Sequence, residues 1–191
     1  DDPDNAVMVW DLDTYRSIKT LTAHTGRILS CVITPDGHRL ITSSKDEYIV
    51  WELSTFRKLF DHEGSLVSVS PDGMYILSQP DVRTIEVSQA GNGERVFCTE
   101  YADKRMDSIK VTSDSRRIVI GMSAGIIGST YVLNLTDGEE VTHFWGEFLA
   151  MSPDEKSVIV AGDRFALQSV DLQTGRITNT FVGHTSRLTG A

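Results

Sequence analysis

The sequence predicts an all-β fold, a β-propeller of four-stranded antiparallel blades with about four complete blades and partial blades at each end. Three observations predict it. A turn tetrad recurs as Thr34-Pro35-Asp36-Gly37, Ser70-Pro71-Asp72-Gly73, Thr112-Ser113-Asp114-Ser115 and Ser152-Pro153-Asp154-Glu155. Its second positions, 35, 71, 113 and 153, are 36, 42 and 40 residues apart, the period of four-stranded blades rather than of helical or leucine-rich repeats. Between the turns lie short runs with the length and β-branched content of strands, separated by Gly, Pro, Asp and Ser.

Residues 1–5 read as a polar turn inside a blade whose first half is missing, 7–12 as its third strand and 17–21 as its outer strand. Inner strands follow near 28–33, 65–69, 108–112 and 147–151. In the first complete repeat the alternating run at 28–33, the Pro35-Asp36-Gly37 turn and the run at 40–43 form a hairpin. A polar turn, Ser44-Lys45-Asp46, leads to a third strand ending at Trp51, and 57–60 is the outer strand. The later third strands align as Leu133-Asn134-Leu135 and Val170-Asp171-Leu172. The repeats divide the chain at 1–22, 23–61, 62–98, 99–145, 146–182 and 183–191, with the last segment opening a further repeat. A chain cut at both ends leaves apolar blade faces uncovered, so marginal stability or self-association of the isolated chain is expected.

The pairs Trp10-Asp11, Ala23-His24, Asp61-His62 and Gly183-His184, repeated with this period, resemble the WD-repeat family over essentially the whole chain. The resemblance implies a buried hydrogen-bond network of a histidine, a hydroxyl, a turn carboxylate and a tryptophan tying a blade together. His24, Thr42, Asp46 and Trp51 fit that set in one blade. Elsewhere Glu86 stands where the tryptophan would be, Ser113 replaces the turn proline, and the blade after Asp107 has no matching histidine. Those blades are expected to depend on packing. Asp46→Ala is expected to cost about 1–3 kcal/mol by stranding His24 or Thr42. The divergent blades are also similar to those of NACHT-and-WD-repeat proteins, which would make the array a sensor or autoinhibitory module.

The 191 residues carry a net charge of −9 and are 40% hydrophobic, enough for a sizeable core. That acidity argues against nonspecific nucleic-acid binding, which needs a basic face. Lys104-Arg105 and Arg116-Arg117 are short and read as solvated strand-end charge. Of the two cysteines, Cys31 reads as a small buried thiol in an apolar strand, and a bridge to Cys98 would have to span a blade, so a reduced, intracellular (cytoplasmic) setting is expected. No run of about 18 apolar residues exists to span a membrane.

No cofactor or metal is expected. The sequence lacks His-Glu-x-x-His, Cys-x-x-Cys and Gly-x-Ser-x-Gly. His24, His62, His143 and His184 recur at blade starts, and the carboxylates Asp11, Asp36, Asp46, Asp72, Asp154 and Asp171 sit at repeated turns. Repetition of that kind points to folding rather than catalysis. Asn134-Leu135-Thr136 matches a glycosylation sequon, but Asn134 takes the strand position of Asp11 and Asp171.

Two segments break the pattern. The connection 99–106 carries Tyr101, Met106 and paired cations, and reads either as an interface anchor or as a solvated linker. Residues 121–129 are glycine-rich without Gly-Lys-Ser/Thr, and read as a bulged turn tucking Ile126 and Ile127 against a neighbour. Trp145, in His143-Phe144-Trp145-Gly146, is either a buried structural ring or a binding anchor at the rim. The expected function is a noncatalytic protein–protein interaction scaffold, the recognition or regulatory module of a larger WD-repeat protein. Protein or peptide partners would bind top-face loops through Arg27, Lys45, Arg105, Trp145 and Arg164, beside contacts with the remaining blades and domains of the parent chain. The alternative is the propeller domain of a hydrolase or periplasmic protein, acting as substrate gate or binding module.

Overall fold

The structure, a computed structural model, describes residues 5–123, 128–162 and 166–183. It is all-β: a two-stranded sheet and four four-stranded antiparallel sheets whose strands follow one another in sequence, the architecture of propeller blades. The chain divides into two compact units, Asp1–Cys98 and Thr99–Ala191.

In the first unit β1 (Ala6–Trp10) pairs with β2 (Ser17–Thr22). The first complete blade is β3 (Ser30–Ile33), β4 (Arg39–Ser43), β5 (Glu47–Glu52) and β6 (Arg57–Glu63). The second is β7 (Ser65–Val69), β8 (Tyr75–Asp81), β9 (Thr84–Gln89) and β10 (Arg95–Glu100). Middle strands are buried on both faces, which is why β4, β5 and β9 read as near-continuous apolar or small-residue runs. Tyr48, Val50, Ile41, Ile76 and Ala90 join the two blades in one core. Leu21, Leu40, Ile49 and Trp51 join the first blade to the β1–β2 sheet.

The second unit holds the third blade, β11 (Arg105–Val111), β12 (Arg117–Ser123), β13 (Ser129–Asn134) and β14 (Glu140–Trp145), and the fourth, β15 (Glu147–Met151), β16 (Ser157–Ala161), β17 (Leu167–Asp171) and β18 (Ile177–Phe181). Their shared core contains Val119, Val132, Phe144, Phe148, Val158, Val160, Val170 and Leu172. The blades approach closely at Gly121, where an added Cβ would lie 2.8 Å from the Phe148 Cβ.

The recurring tetrad is a side-chain-locked turn. Thr34 Oγ1 donates to Asp36 Oδ1 (2.6 Å), the His38 N–H donates to the same oxygen (3.0 Å), and the Arg39 N–H donates to Thr34 Oγ1 (3.0 Å). Thr112/Asp114 and Ser152/Asp154 repeat the scheme, and Ser70 donates to Asp72 at 2.6 Å. The fourth residue has positive φ: Gly37 (71°) and Gly73 (74°), but Ser115 (55°) and Glu155 (53°) in the second unit. Glu155 offsets that backbone cost across blades, since its Oε2 accepts from the Ser113 N–H (2.7 Å) and hydroxyl (2.8 Å).

Three sequence expectations are corrected here. Cys31 is exposed, as is Cys98, because most of β3 faces solvent rather than apolar cover. The segment 99–106 is no solvated linker: β10 runs to Glu100 and β11 starts at Arg105, leaving a tight turn closed by the Lys104 N–H to the Tyr101 carbonyl (3.2 Å), with Met106 buried. Glu86 does not occupy the tryptophan position. The equivalent main-chain bonds Leu53 N–H to His38 O, Ala90 N–H to Met74 O, Leu135 N–H to Arg116 O and Leu172 N–H to Lys156 O set the blades in register with one another, and they give Ser88, Leu133 and Val170 in their own blades the position that Trp51 has in the first. Of the irregular segment 121–129, Gly121–Ser123 belong to β12 and Ser129 to β13, while Ile126 and Ile127 lie outside the described residues.

Candidate interaction site

In the first blade, Thr42 on β4 presents a fully buried hydroxyl. His24 Nε2 lies 2.7 Å from Thr42 Oγ1, and the Trp51 indole N–H donates to the same oxygen at 2.9 Å. The acid expected beside them, Asp46, is exposed; its main-chain N–H bonds Ser44 Oγ at 3.3 Å. Glu47, the next residue, faces the histidine instead. Its Oε1 accepts from the Thr25 N–H (2.9 Å) and hydroxyl (3.2 Å) and lies 3.3 Å from His24 Nδ1, off the line of a hydrogen bond. Alternation along the strand sends neighbouring side chains to opposite sides, so a shift of one residue changes the acid. Burial pushes the His24 pKa down, and Glu47 opposes that shift without cancelling it.

The second blade replaces that set with different chemistry. Ser88, aligned with Trp51, has its Oγ 2.8 Å from the Tyr48 hydroxyl of the first blade. Glu86 is 3% exposed and pairs with Arg95 Nη2 at 2.7 Å, with His62 Nδ1 at 3.7 Å. His62 stacks on Tyr48 with ring centroids 5.5 Å apart. The result is a polar and aromatic tie between two blades, which the bare residue list does not reveal.

Of the candidate contact residues, Arg27 lies exposed in the link from β2 to β3 and Lys45 exposed in the β4–β5 turn. Among the described residues neither has an ion-pair partner. In the second unit Arg105 opens β11, with Asp107 Oδ1 3.6 Å from its Nε, and Trp145 closes β14. Trp145 is 68% exposed, which corrects the reading of that ring as a buried structural one. Arg164 and His184 lie outside the described residues.

Trp145 stands in a cluster. The register of β13 and β14 sets Tyr131 opposite His143 and Ser129 opposite Trp145. Tyr131 and His143 stack with centroids 5.3 Å apart, and Tyr101 tilts against Tyr131 at 5.1 Å. Lys104 Nζ donates to the Tyr131 hydroxyl (2.6 Å) and to Ser129 Oγ (3.2 Å), while lying 4.6 Å from the Tyr131 centroid and 5.7 Å from that of Trp145. Glu140 Oε1 is 2.6 Å from His143 Nδ1. Burial, with the Glu140 charge, pushes the Tyr101 phenol up to about 12. On its other side Trp145 joins Phe144, Gln168, Val170 and Ile177 around an open cleft of ≈ 640 Å³ between the third and fourth blades. Sequence reasoning singled out Arg105 and Trp145 but missed Lys104, Tyr131 and His143. A basic residue flanked by aromatics on two neighbouring strands is the signal that could have found them.

Among the described residues no group of three or more His, Cys, Asp and Glu could hold a metal ion, and no helix is long and apolar enough to cross a membrane.

Residues 15–51 match the WD domain, G-beta repeat. Transducin beta-like protein 3 of Rattus norvegicus is 23% identical over 199 residues, covering 90% of this chain and 24% of that protein. Meiotic fizzy-related protein 1 of Schizosaccharomyces pombe is 36% identical over 64 residues, 33% of this chain and 15% of that protein. This chain thus spans about a quarter or less of these relatives. Among solved structures, dihydro-heme d1 dehydrogenase NirN in complex with DHE superposes with a TM-score of 0.67 and 16% identity, over 93% of this chain and 41% of that one. The repeated blades and turns described above, with the match to a WD repeat over residues 15–51, make the chain similar to WD-repeat proteins.

Proposed function

We propose that the chain is a noncatalytic interaction module of an intracellular WD-repeat protein, binding a protein or peptide segment through the loops at the rim of its blades. The observation that carries this reading is Trp145: a large ring 68% exposed, with the Lys104 ammonium 5.7 Å from its centroid and bordering an apolar cleft, has the make-up of an interface anchor. Arg27 and Lys45 in one unit occupy, and Arg105 and Trp145 in the other flank, connections of the same two kinds, outer strand to inner strand or second strand to third. Arg164 completes the proposed set from outside the described residues. The match to about a quarter of transducin beta-like protein 3 supports a role beside further blades and domains. No cofactor is needed for such a role. The competing expectation, a gate or binding module of a hydrolase or periplasmic propeller protein, has beside it the likeness to NirN, which at 16% identity carries the fold alone.

The test compares partner capture by the chain and by two double variants, Arg27→Ala/Lys45→Ala and Arg105→Ala/Trp145→Ala. Loss of at least tenfold in affinity in either, with an unchanged melt, is expected. Capture unaffected in both would overturn the assignment.

A further inference from the structure

We propose that the cleft between the third and fourth blades binds a tyrosine side chain of a partner peptide, its ring lying over Gly175 as the ring of Phe60 lies over Gly93 between the first two blades. The proposal rests on the reading of the chain as an interaction module and adds the chemistry of one residue that the module meets.

Main-chain bonds fix which residues of the two interfaces correspond. The Gly93 N–H donates to Gln89 O as the Gly175 N–H does to Asp171 O, and Gln89 and Asp171 donate in turn to Glu94 O and Arg176 O. Counted from these bonds and from the strand registers, Glu86 corresponds to Gln168, Arg95 to Ile177, Phe60 to Thr142 and His62 to Phe144. At the first interface rings and an ion pair fill the space. Phe60 meets His62 edge-on with centroids 5.6 Å apart, and Arg95 Nη2 holds Glu86 at 2.7 Å. The packing is tight enough that a Cβ added at Gly93 would lie 2.8 Å from the Phe60 ring. At the second interface a threonine replaces the phenylalanine, Gln168 and Ile177 replace the ion pair, and a cleft of ≈ 640 Å³ opens beside Phe144 and Val170. That volume falls in the range of ligand sites, about 300–1,000 Å³.

The lining selects an uncharged aromatic side chain with a polar tip. Phe144, Val170 and Ile177 offer apolar surface, and Ile177, 54% exposed, opens the cleft to solvent. Among the described residues no Asp, Glu, Lys or Arg lines it, so a charged tip would be buried without a partner. The net charge of −9 opposes a phosphorylated tip in particular. A phenol buries its ring and needs one hydrogen bond for its hydroxyl. Gln168 supplies that bond: its half-buried amide lies against Gly162 in the lining and has no hydrogen-bond partner among the described residues. The chain itself uses a phenol between blades in the same way, since the Tyr48 hydroxyl lies 2.8 Å from Ser88 Oγ across the first interface.

The experiment titrates the full chain with N-acetyltyrosine amide and follows the Val170 methyl resonances, assigned by Val170→Ala. A wild-type dissociation constant of about 1 mM is expected, about fivefold weaker for N-acetylphenylalanine amide, which lacks the hydroxyl, with no saturable shift for N-acetylphosphotyrosine amide. Thr142→Phe lays over Gly175 the ring that Phe60 lays over Gly93, and is expected to weaken binding at least tenfold without lowering the melting temperature. Ile177→Arg, at an exposed position, is expected to weaken it at least fivefold and keeps the test open should Thr142→Phe fail to fold. Equal binding of the tyrosine and phenylalanine derivatives overturns the tyrosine assignment, and wild-type binding by either folded variant overturns the site. Methyl shifts that appear on raising the protein concentration alone, with a dimer in sedimentation, would give the cleft to a second copy and overturn the peptide ligand. Should Arg105→Ala/Trp145→Ala abolish partner capture while the tyrosine derivative neither binds nor competes, the interaction reading stands and the tyrosine site fails. Tyrosine binding as expected, with capture unaffected in both double variants, would leave the cleft standing and remove the rim residues.

Discussion

Replacing Thr42 by valine removes one oxygen and little volume, yet that oxygen is shared by two buried nitrogens. His24 Nε2 lies 2.7 Å and Trp51 Nε1 2.9 Å from it, and Thr42 itself is fully buried. A hydroxyl offers one proton and two lone pairs, so it serves the indole donor and the imidazole together, whichever tautomer the ring adopts. Valine leaves both without a partner, and each stranded group costs about 1–3 kcal/mol. Partial relaxation around the cavity-free substitution makes about 2–4 kcal/mol the expected total. For a chain of this size that is a fall in melting temperature of about 5–15 °C. Urea unfolding followed by tryptophan fluorescence, with Asp46→Ala alongside, measures it. Asp46 is exposed and its side chain stands apart from the network, so its alanine variant belongs within about 0.5 kcal/mol of wild type. A Thr42→Val cost below 0.5 kcal/mol, or an Asp46→Ala cost equal to it, would refute the reasoning.

Three further outcomes follow from the structure. Because burial lowers the His24 pKa, the unfolded chain binds a proton that the folded chain resists. Stability is therefore full above the ordinary histidine value of 6.5 and declines as pH falls below it toward the depressed folded value. The slope of melting temperature between pH 7 and 5 should be shallower in His24→Gln. At lower pH the turn aspartates act: hydroxyl and main-chain donors hold Asp36, Asp114 and Asp154 below 3.8, so what they contribute is present above that value and lost as pH falls through their folded values. Gly121→Ala puts a methyl 2.8 Å from the Phe148 Cβ and against Ser108, and should destabilise the second unit by about 1–3 kcal/mol in thermal unfolding, whereas Gly37→Ala meets no atom and is strained only through its positive φ.

The repeat was legible because its turn is a local device: a hydroxyl, an aspartate two residues on and a bonded N–H five residues on are all within one short segment. Side-chain placement was less legible wherever it depended on counting across a hairpin. In the second blade the β8–β9 pairing is irregular between Ser78 and Asp81, so spacing from the turn gave Glu86 the place that Ser88 holds. Asp46 and Glu47 differ by one position, and nothing in their local sequence says which of two adjacent acids turns inward. Cys31 looked buried because its strand is apolar, but composition cannot tell whether a strand has cover on both faces. The Lys104 cluster needs the β13–β14 register, which shifts between Val132 and Leu133; only that pairing brings Tyr131 to His143 and Ser129 to Trp145.

The central claim is that exposed residues on the blade connections bind a partner while the network around Thr42 only holds a blade together. Its most direct measurement is quantitative partner capture by the wild-type chain and by the variant with Ala at Arg27, Lys45, Arg105, Trp145 and Arg164, each with a melting curve. The account predicts that capture is abolished and the melting temperature stays within about 3 °C of wild type. Undiminished capture by a well-folded variant would contradict it.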